Sequence, residues 1–148
     1  MFTVETRVAI SAPPERVWQV LLDFERYREW NPLLDYLGGE PAVGKRLTLK
    51  LNPPSGNGYT FRPVVTSRIE NRLFSWIGVT FVRGVFDGEH FFELEPTGNG
   101  RTLLTNREAF SGLLAPLMRR TAMLRGAEPG FKSMNELLKH RVEDLARC

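Results

Sequence analysis

Three polar residues fall where alternation calls for apolar ones. His90 lies in the segment Phe86–Leu94, in which Phe86, Gly88, His90, Phe92 and Leu94 share one face of a period-two pattern. An imidazole titrates near neutrality, so a histidine among aromatic rings is suited to take or give a proton. The plain alternative is a hydrogen-bonded core histidine. Asn106 and Glu108 share a face with Leu104 and Phe110. A carboxyl group in an apolar cavity is pushed toward its neutral form and can then donate or accept a proton. A one-residue slip would instead turn Leu103, Thr105, Arg107 and Ala109 inward. The register with Glu108 inward is preferred because it aims Glu108 and His90 at the same space. A structural hydrogen bond remains as open for Glu108 as catalysis. His140, between Lys139 and Arg141, reads as solvated.

Other chemistries find little support. Two histidines and one cysteine, Cys148, make no metal-ligand cluster of the usual spacing. No G-x-S-x-G or Cys/His arrangement marks a covalent nucleophile. Gly56-Asn57-Gly58 and Gly98-Asn99-Gly100 read as hairpin turns, not phosphate-binding loops. No cofactor is expected.

The elements that must position these residues follow from periodicity. Val4, Thr6, Val8 and Ile10 alternate with polar neighbours, a half-buried strand. Pro13-Pro14-Glu15 opens an amphipathic helix carrying Val17, Val20, Leu21 and Phe24. A second short helix, Asp23–Trp30, must end before Asn31-Pro32. Strands are expected at Leu33–Leu37, Leu47–Leu51, Phe61–Ile69, Leu73–Val79, Phe86–Leu94 and Arg101–Phe110, with hairpin loops at Pro53–Gly58 and Pro96–Gly100. Phe131, Met134, Leu138, Val142 and Leu145 form one apolar stripe on a final helix of about four turns. Gly126, Pro129 and Gly130 are expected to break or kink its connection to the apolar, arginine-bearing stretch Leu113–Arg125. The order is strand, two helices, six strands, one long helix. Strands joined by short turns pair antiparallel, so the expectation is an α+β protein with a seven-stranded antiparallel sheet under the C-terminal helix.

Composition sets the outer bounds. A chain of 148 residues suits a single domain, 1–148, and 42% hydrophobic content is enough for a core. Ten Phe, three Trp and three Tyr are many for this length. The net charge of +3 is small and its arginines are scattered, unlike the clustered footprint of a nucleic-acid binder. The longest apolar run, near Gly112–Met118, is far short of a bilayer span. With no signal peptide read at Met1–Glu5 and no cysteine pair, the cytoplasm is the expected location.

Four local patterns resemble those of the START/Bet v 1-like superfamily, also called SRPBCC or polyketide cyclase/dehydrase-like. Ala12-Pro13-Pro14-Glu15-Arg16-Val17-Trp18 resembles its strand-to-helix entry, and Tyr27–Pro32 its W-x-P exit from the second helix. Leu73-Phe74-Ser75-Trp76-Ile77-Gly78 resembles its L-x-W-x-G strand, and Phe131–Lys139 the start of its final helix. The resemblance spans nearly the whole chain. Gly38–Gly44 departs from it, lacking the G-x-G-x-x-G spacing of the plant-allergen branch. The resemblance implies a helix-grip fold, a curved sheet wrapped around the last helix, with a cavity for a lipid, polyketide or similar apolar or aromatic ligand. Relatives include carriers, cyclases or dehydratases, and co-chaperones, and fold alone does not choose among them.

On that basis the expected ligand-binding wall comprises Phe61, Phe74, Trp76, Phe86, His90, Phe92, Asn106, Glu108 and Phe110, with Met134 and Leu138 from the helix. His90 and Glu108 are the acid–base candidates if the protein is an enzyme. Tyr36 and Tyr59 lie near loops that could rim the pocket, and Trp30 reads as a packing anchor. Leu113–Leu124 reads as packing or a lid, or as a contact with a membrane surface, a partner or a second copy.

Overall fold

The computed structural model describes residues 1–53, 57–80 and 82–147. Residues 54–56 of the expected Pro53–Gly58 loop, Phe81 and Cys148 lie outside the described residues, as do the side chains of Ala122 and Met123.

The chain opens with β1 (Phe2–Ile10), whose even-numbered residues face inward, then α1 (Pro14–Leu22) and a 3-10 turn at Phe24–Glu29. Pro14 occupies the first turn of α1, where its missing N–H leaves no bond unmade. Val17, Trp18 and Leu21 are buried beneath it. Then come β2 (Leu34–Gly39), β3 (Leu47–Leu51), β4 (Tyr59–Phe61), β5 (Val64–Ile69), β6 (Leu73–Thr80), β7 (Phe86–Gly98) and β8 (Arg101–Ser111). The expected single strand Phe61–Ile69 is thus two strands, so eight are described. The break falls at Arg62-Pro63, because proline brings no N–H to a ladder. Two short helices, α2 (Ala115–Met118) and α3 (Ala122–Arg125), lead to α4 (Ala127–Ala146).

α4 begins before Phe131. Gly126 caps it, while Pro129 and Gly130 sit inside its first turns instead of breaking it. Proline is tolerated there because the first helical N–H groups have no intrahelical acceptor.

Among the described residues all pairings are antiparallel, in two sheets ordered β1-β8-β7-β6-β5 and β2-β3-β4. A bridge between Arg46 and Val64 joins them, supported by Leu47 N–H to Pro63 C=O at 2.9 Å. The β7–β8 hairpin pairs His90 with Glu108 and Phe92 with Asn106. It turns through Gly98, Asn99 and Gly100, all at positive φ.

The main core gathers Ile10, Val17, Leu21, Phe74, Leu104 and Leu138 with their neighbours, between the sheet, α1 and the C-terminal half of α4. Trp30 joins it edge-on to Tyr27, and Tyr27 Oη donates to the Leu21 carbonyl. A smaller cluster of Phe86, Phe110 and Ala115 lies near α2, packed with Phe2, Leu114 and Leu124. α4 is also bound to β1 by polar contacts. Asn135 Nδ2 donates to Thr6 Oγ1 (2.8 Å) and Lys139 Nζ to the Ala9 carbonyl (2.9 Å). Glu143 Oε2 accepts the Ser11 N–H (2.8 Å) and the Lys139 ammonium (2.7 Å). Among the described residues no helix is long and apolar enough to cross a membrane.

Candidate functional site

Between the sheet and the first half of α4 lies a cavity of about 1050 Å³. β6, β7 and β8 build its floor, and their alternation decides which side chains reach it. Trp76, Phe86, His90, Phe92, Glu108 and Phe110 all point into it. Tyr59 and Phe61 close it from β4, while Phe131 and Met134 cover it from α4. Gly126, Ala127 and Gly130 also line the helix side. A Cβ built on Gly130 meets nothing within 4 Å, so the space there follows from a missing side chain.

His90 is boxed by rings. Its centroid lies 4.6 Å from Phe92, 5.3 Å from Trp76 and 4.9 Å from Phe131. Its two nitrogens meet different partners. Nε2 lies 2.5 Å from Asn106 Oδ1 and Nδ1 lies 3.5 Å from Glu108 Oε2. Behind Asn106 the polar chain continues. Asn106 Nδ2 donates to Asn135 Oδ1 (2.9 Å), and the Thr6 hydroxyl donates to the Asn106 carbonyl (3.1 Å). Asn106 is fully buried and Thr6, His90 and Asn135 nearly so. Such groups persist in a core only when their hydrogen bonds are made.

Glu108 reaches the cavity across Gly88. A Cβ at Gly88 would sit 2.5 Å from Glu108 Oε1, so glycine leaves the space the carboxyl group occupies. On the opposite wall, burial and then the Glu108 charge push the Tyr59 hydroxyl above its ordinary pKa, which keeps it protonated. The outer face of the same hairpin is built differently. There Arg107 pairs with Glu93 at 2.7 Å and lies 4.0 Å over the Phe91 ring. The slipped register with Arg107 inward is therefore not the one adopted.

Of the wall expected from sequence, Phe61, Trp76, Phe86, His90, Phe92, Glu108, Phe110 and Met134 border the cavity. Phe74, Asn106 and Leu138, expected in the same wall, do not line it. Phe74 is fully buried where the 3-10 turn covers the sheet, its ring 5.9 Å from Phe24. Leu138, one turn beyond Met134, is buried in the main core with α1. Asn106 stands behind His90 as its hydrogen-bond partner. Tyr59 rims the cavity, whereas Tyr36 packs 5.8 Å from Phe24 on another surface. In the Leu113–Leu124 stretch, Leu124 lines the cavity and Leu114 packs below, while Leu113 and Leu117 are exposed.

Sequence reasoning missed Phe131, the small residues of α4, and the pair Thr6 and Asn135. The last two carried a signal: each is a polar residue on an otherwise apolar face, Thr6 between Val4 and Val8 and Asn135 between Phe131 and Leu138.

A family model described as polyketide cyclase / dehydrase and lipid transport matches residues 1–143. Among solved structures, a START superfamily protein from Mycobacterium smegmatis is 23% identical, with a TM-score of 0.72 over 97% of this chain and 98% of that one. The Aha1 dimer from Colwellia psychrerythraea is 21% identical, with a TM-score of 0.72 over 97% of each chain. A norcoclaurine synthase point mutant from Thalictrum flavum, in complex with a transition-state analogue, is 12% identical, with a TM-score of 0.74 over 98% of this chain and 96% of that one. No curated protein matches the sequence. These three likenesses are likenesses of fold, and the family match covers almost every element described above. The chain belongs to the polyketide cyclase/dehydrase and lipid transport family and has the START/Bet v 1-like helix-grip fold.

Proposed function

We propose that this protein is a single ligand-binding domain that holds a small hydrophobic or aromatic molecule, such as a lipid or polyketide, between its sheet and α4. The observation that carries this reading is the cavity of about 1050 Å³ with a mainly apolar wall that includes Phe61, Trp76, Phe86, Phe92, Phe110 and Phe131. Sites of this size and composition suit drug-sized apolar ligands. Native mass spectrometry and fluorescence titration with naphthalene and a fatty acid test it. Saturable one-to-one binding is expected. A folded protein that takes up neither probe overturns it.

A second reading is a cyclase- or dehydratase-like enzyme with His90 and Glu108 as acid and base. What favours it is their shared orientation into one cavity with Nδ1 and Oε2 3.5 Å apart. It predicts that His90→Phe and Glu108→Leu abolish turnover of a ligand they still bind. A third reading is a co-chaperone-like interaction module or a homodimer joined through Leu113–Leu124. It draws on the exposed Leu113 and Leu117 beside Arg119 and Arg120. Analytical ultracentrifugation showing a monomer that Leu117→Asp leaves unchanged would remove the homodimer.

A further inference from the structure

The buried chain behind His90 has a direction, and the direction fixes a proton. The Thr6 hydroxyl has one hydrogen, and it goes to the Asn106 main-chain carbonyl. Thr6 Oγ1 must then accept from Asn135 Nδ2. That orients the Asn135 amide, so its Oδ1 accepts from Asn106 Nδ2. The Asn106 amide is oriented in turn, and its Oδ1 faces His90 Nε2 as an acceptor. Nε2 therefore carries hydrogen. In neutral His90 the lone pair lies on Nδ1, opposite Glu108 Oε2 across 3.5 Å. With the imidazole neutral and the carboxyl group ionised, two acceptors face each other there, and a ligand donor can serve both.

We propose that Thr6, Asn135 and Asn106 are positioning residues that hold His90 as its Nε2–H tautomer, so that Nδ1 and Glu108 form an acceptor corner selecting apolar ligands that carry one hydroxyl, a phenol or an enol, at the buried end. This rests on the ligand-binding reading above and names its substrate class. The hydroxyl hydrogen fills the gap between Nδ1 and the carboxylate, and the ligand body lies against Trp76, Phe92 and Phe131. Tyr59, facing the same cavity with its hydroxyl protonated, is a donor for the ligand oxygen. Among the described residues, the charged or titratable groups that line the cavity besides His90 are Glu108 from β8, Tyr59 from β4 and Arg62 from the β4–β5 connection. The lining residues from β6 and α4 are uncharged.

Only two histidines are present, so His140→Gln leaves His90 as the sole imidazole. Nitrogen NMR of that labelled protein should show the neutral ring protonated on Nε2, with Nδ1 bare. A neutral form protonated on Nδ1 overturns the proposal. Naphthol and naphthalene then serve as matched probes. Naphthol should bind about tenfold more tightly, and Glu108→Leu should erase the preference while retaining naphthalene. Asn135→Leu should admit the Nδ1–H tautomer and shrink the preference. Gly88→Ala, which displaces the Glu108 carboxyl without removing it, should do the same to the preference. Naphthalene binding without preference for naphthol overturns this inference alone. Failure of both probes overturns the cavity reading and the ligand class with it.

Discussion

The two ends of the layer between sheet and α4 are built from the same elements yet differ in filling. At one end α1 and the 3-10 turn press Val17, Leu21 and Phe24 onto Phe74 and Leu104, and Leu138 and Val142 of α4 complete a closed core. At the other end α4 presents Gly126, Ala127 and Gly130, and a cavity of about 1050 Å³ remains. The aromatic residues are shared between the two ends. What differs is the size of the residues opposite them and the presence of α1. A cavity in this fold is therefore set by what the covering helix omits.

Truncation at the filled end should have the largest effect. Phe74→Ala is expected to cost about 3–5 kcal/mol, because a fully buried ring leaves a void that its neighbours only partly fill. Phe131→Ala, which enlarges a space already open, should cost less than half as much. Similar losses in denaturant unfolding would break the comparison. Next comes the polar chain between the ends. Asn135→Ala leaves buried polar atoms of Asn106 and Thr6 without their partner and should cost about 1–3 kcal/mol. A smaller effect of opposite sign is expected at the hollow end. Gly130→Ala should stabilise by about 0.5–1 kcal/mol, since the added Cβ meets open space and alanine suits a helix better. Gly130→Leu should go further and weaken naphthalene binding by occupying the cavity. An unchanged affinity would mean that the ligand lies elsewhere.

The smallest effect lies outside both ends, at Glu143. The Lys139 ammonium, and then the Ser11 N–H, hold its carboxyl group below the ordinary range. A depressed folded pKa gives stability that is present above the unfolded value and lost as pH falls through the folded one. Glu143→Gln should therefore lower stability slightly at neutrality, leave it nearly unchanged at low pH, where the carboxyl group is already protonated, and so flatten part of the acid limb. An identical acid limb would show that the ion pair contributes nothing.

Which side chains turn inward was legible in the sequence, and which of them border open space was not, for a physical reason. Alternation marks inward side chains, so β7 and β8 could be read through to His90 facing Glu108. It does not say which inward residues meet a neighbour and which meet space. Phe74 and Trp76 share a face of β6, yet only Trp76 borders the cavity. Glycines in a helix give no periodic apolar signal, so the wall they form was invisible, and Gly130 read as a breaker instead. Pro63 was a readable break in the long strand, overridden by the apolar run around it. Thr6 and Asn135 were also readable as polar interruptions, but their meeting needs the packing of α4 on β1.

That packing bears on why the void stays open. Asn135, Lys139 and Glu143 follow one another at intervals of four along α4, and they meet Thr6 and Ala9 of β1 and Ser11 just past its end. They work like three teeth of a rack. A helix with a single apolar stripe could otherwise slide one turn, about 5.4 Å, and bring larger side chains over the gap while keeping its greasy side on the sheet. Here such a slide would take every tooth out of its notch at once. The helix is thus indexed along the strand, and hydrophobic collapse cannot consume the chamber without first stripping that row of polar contacts.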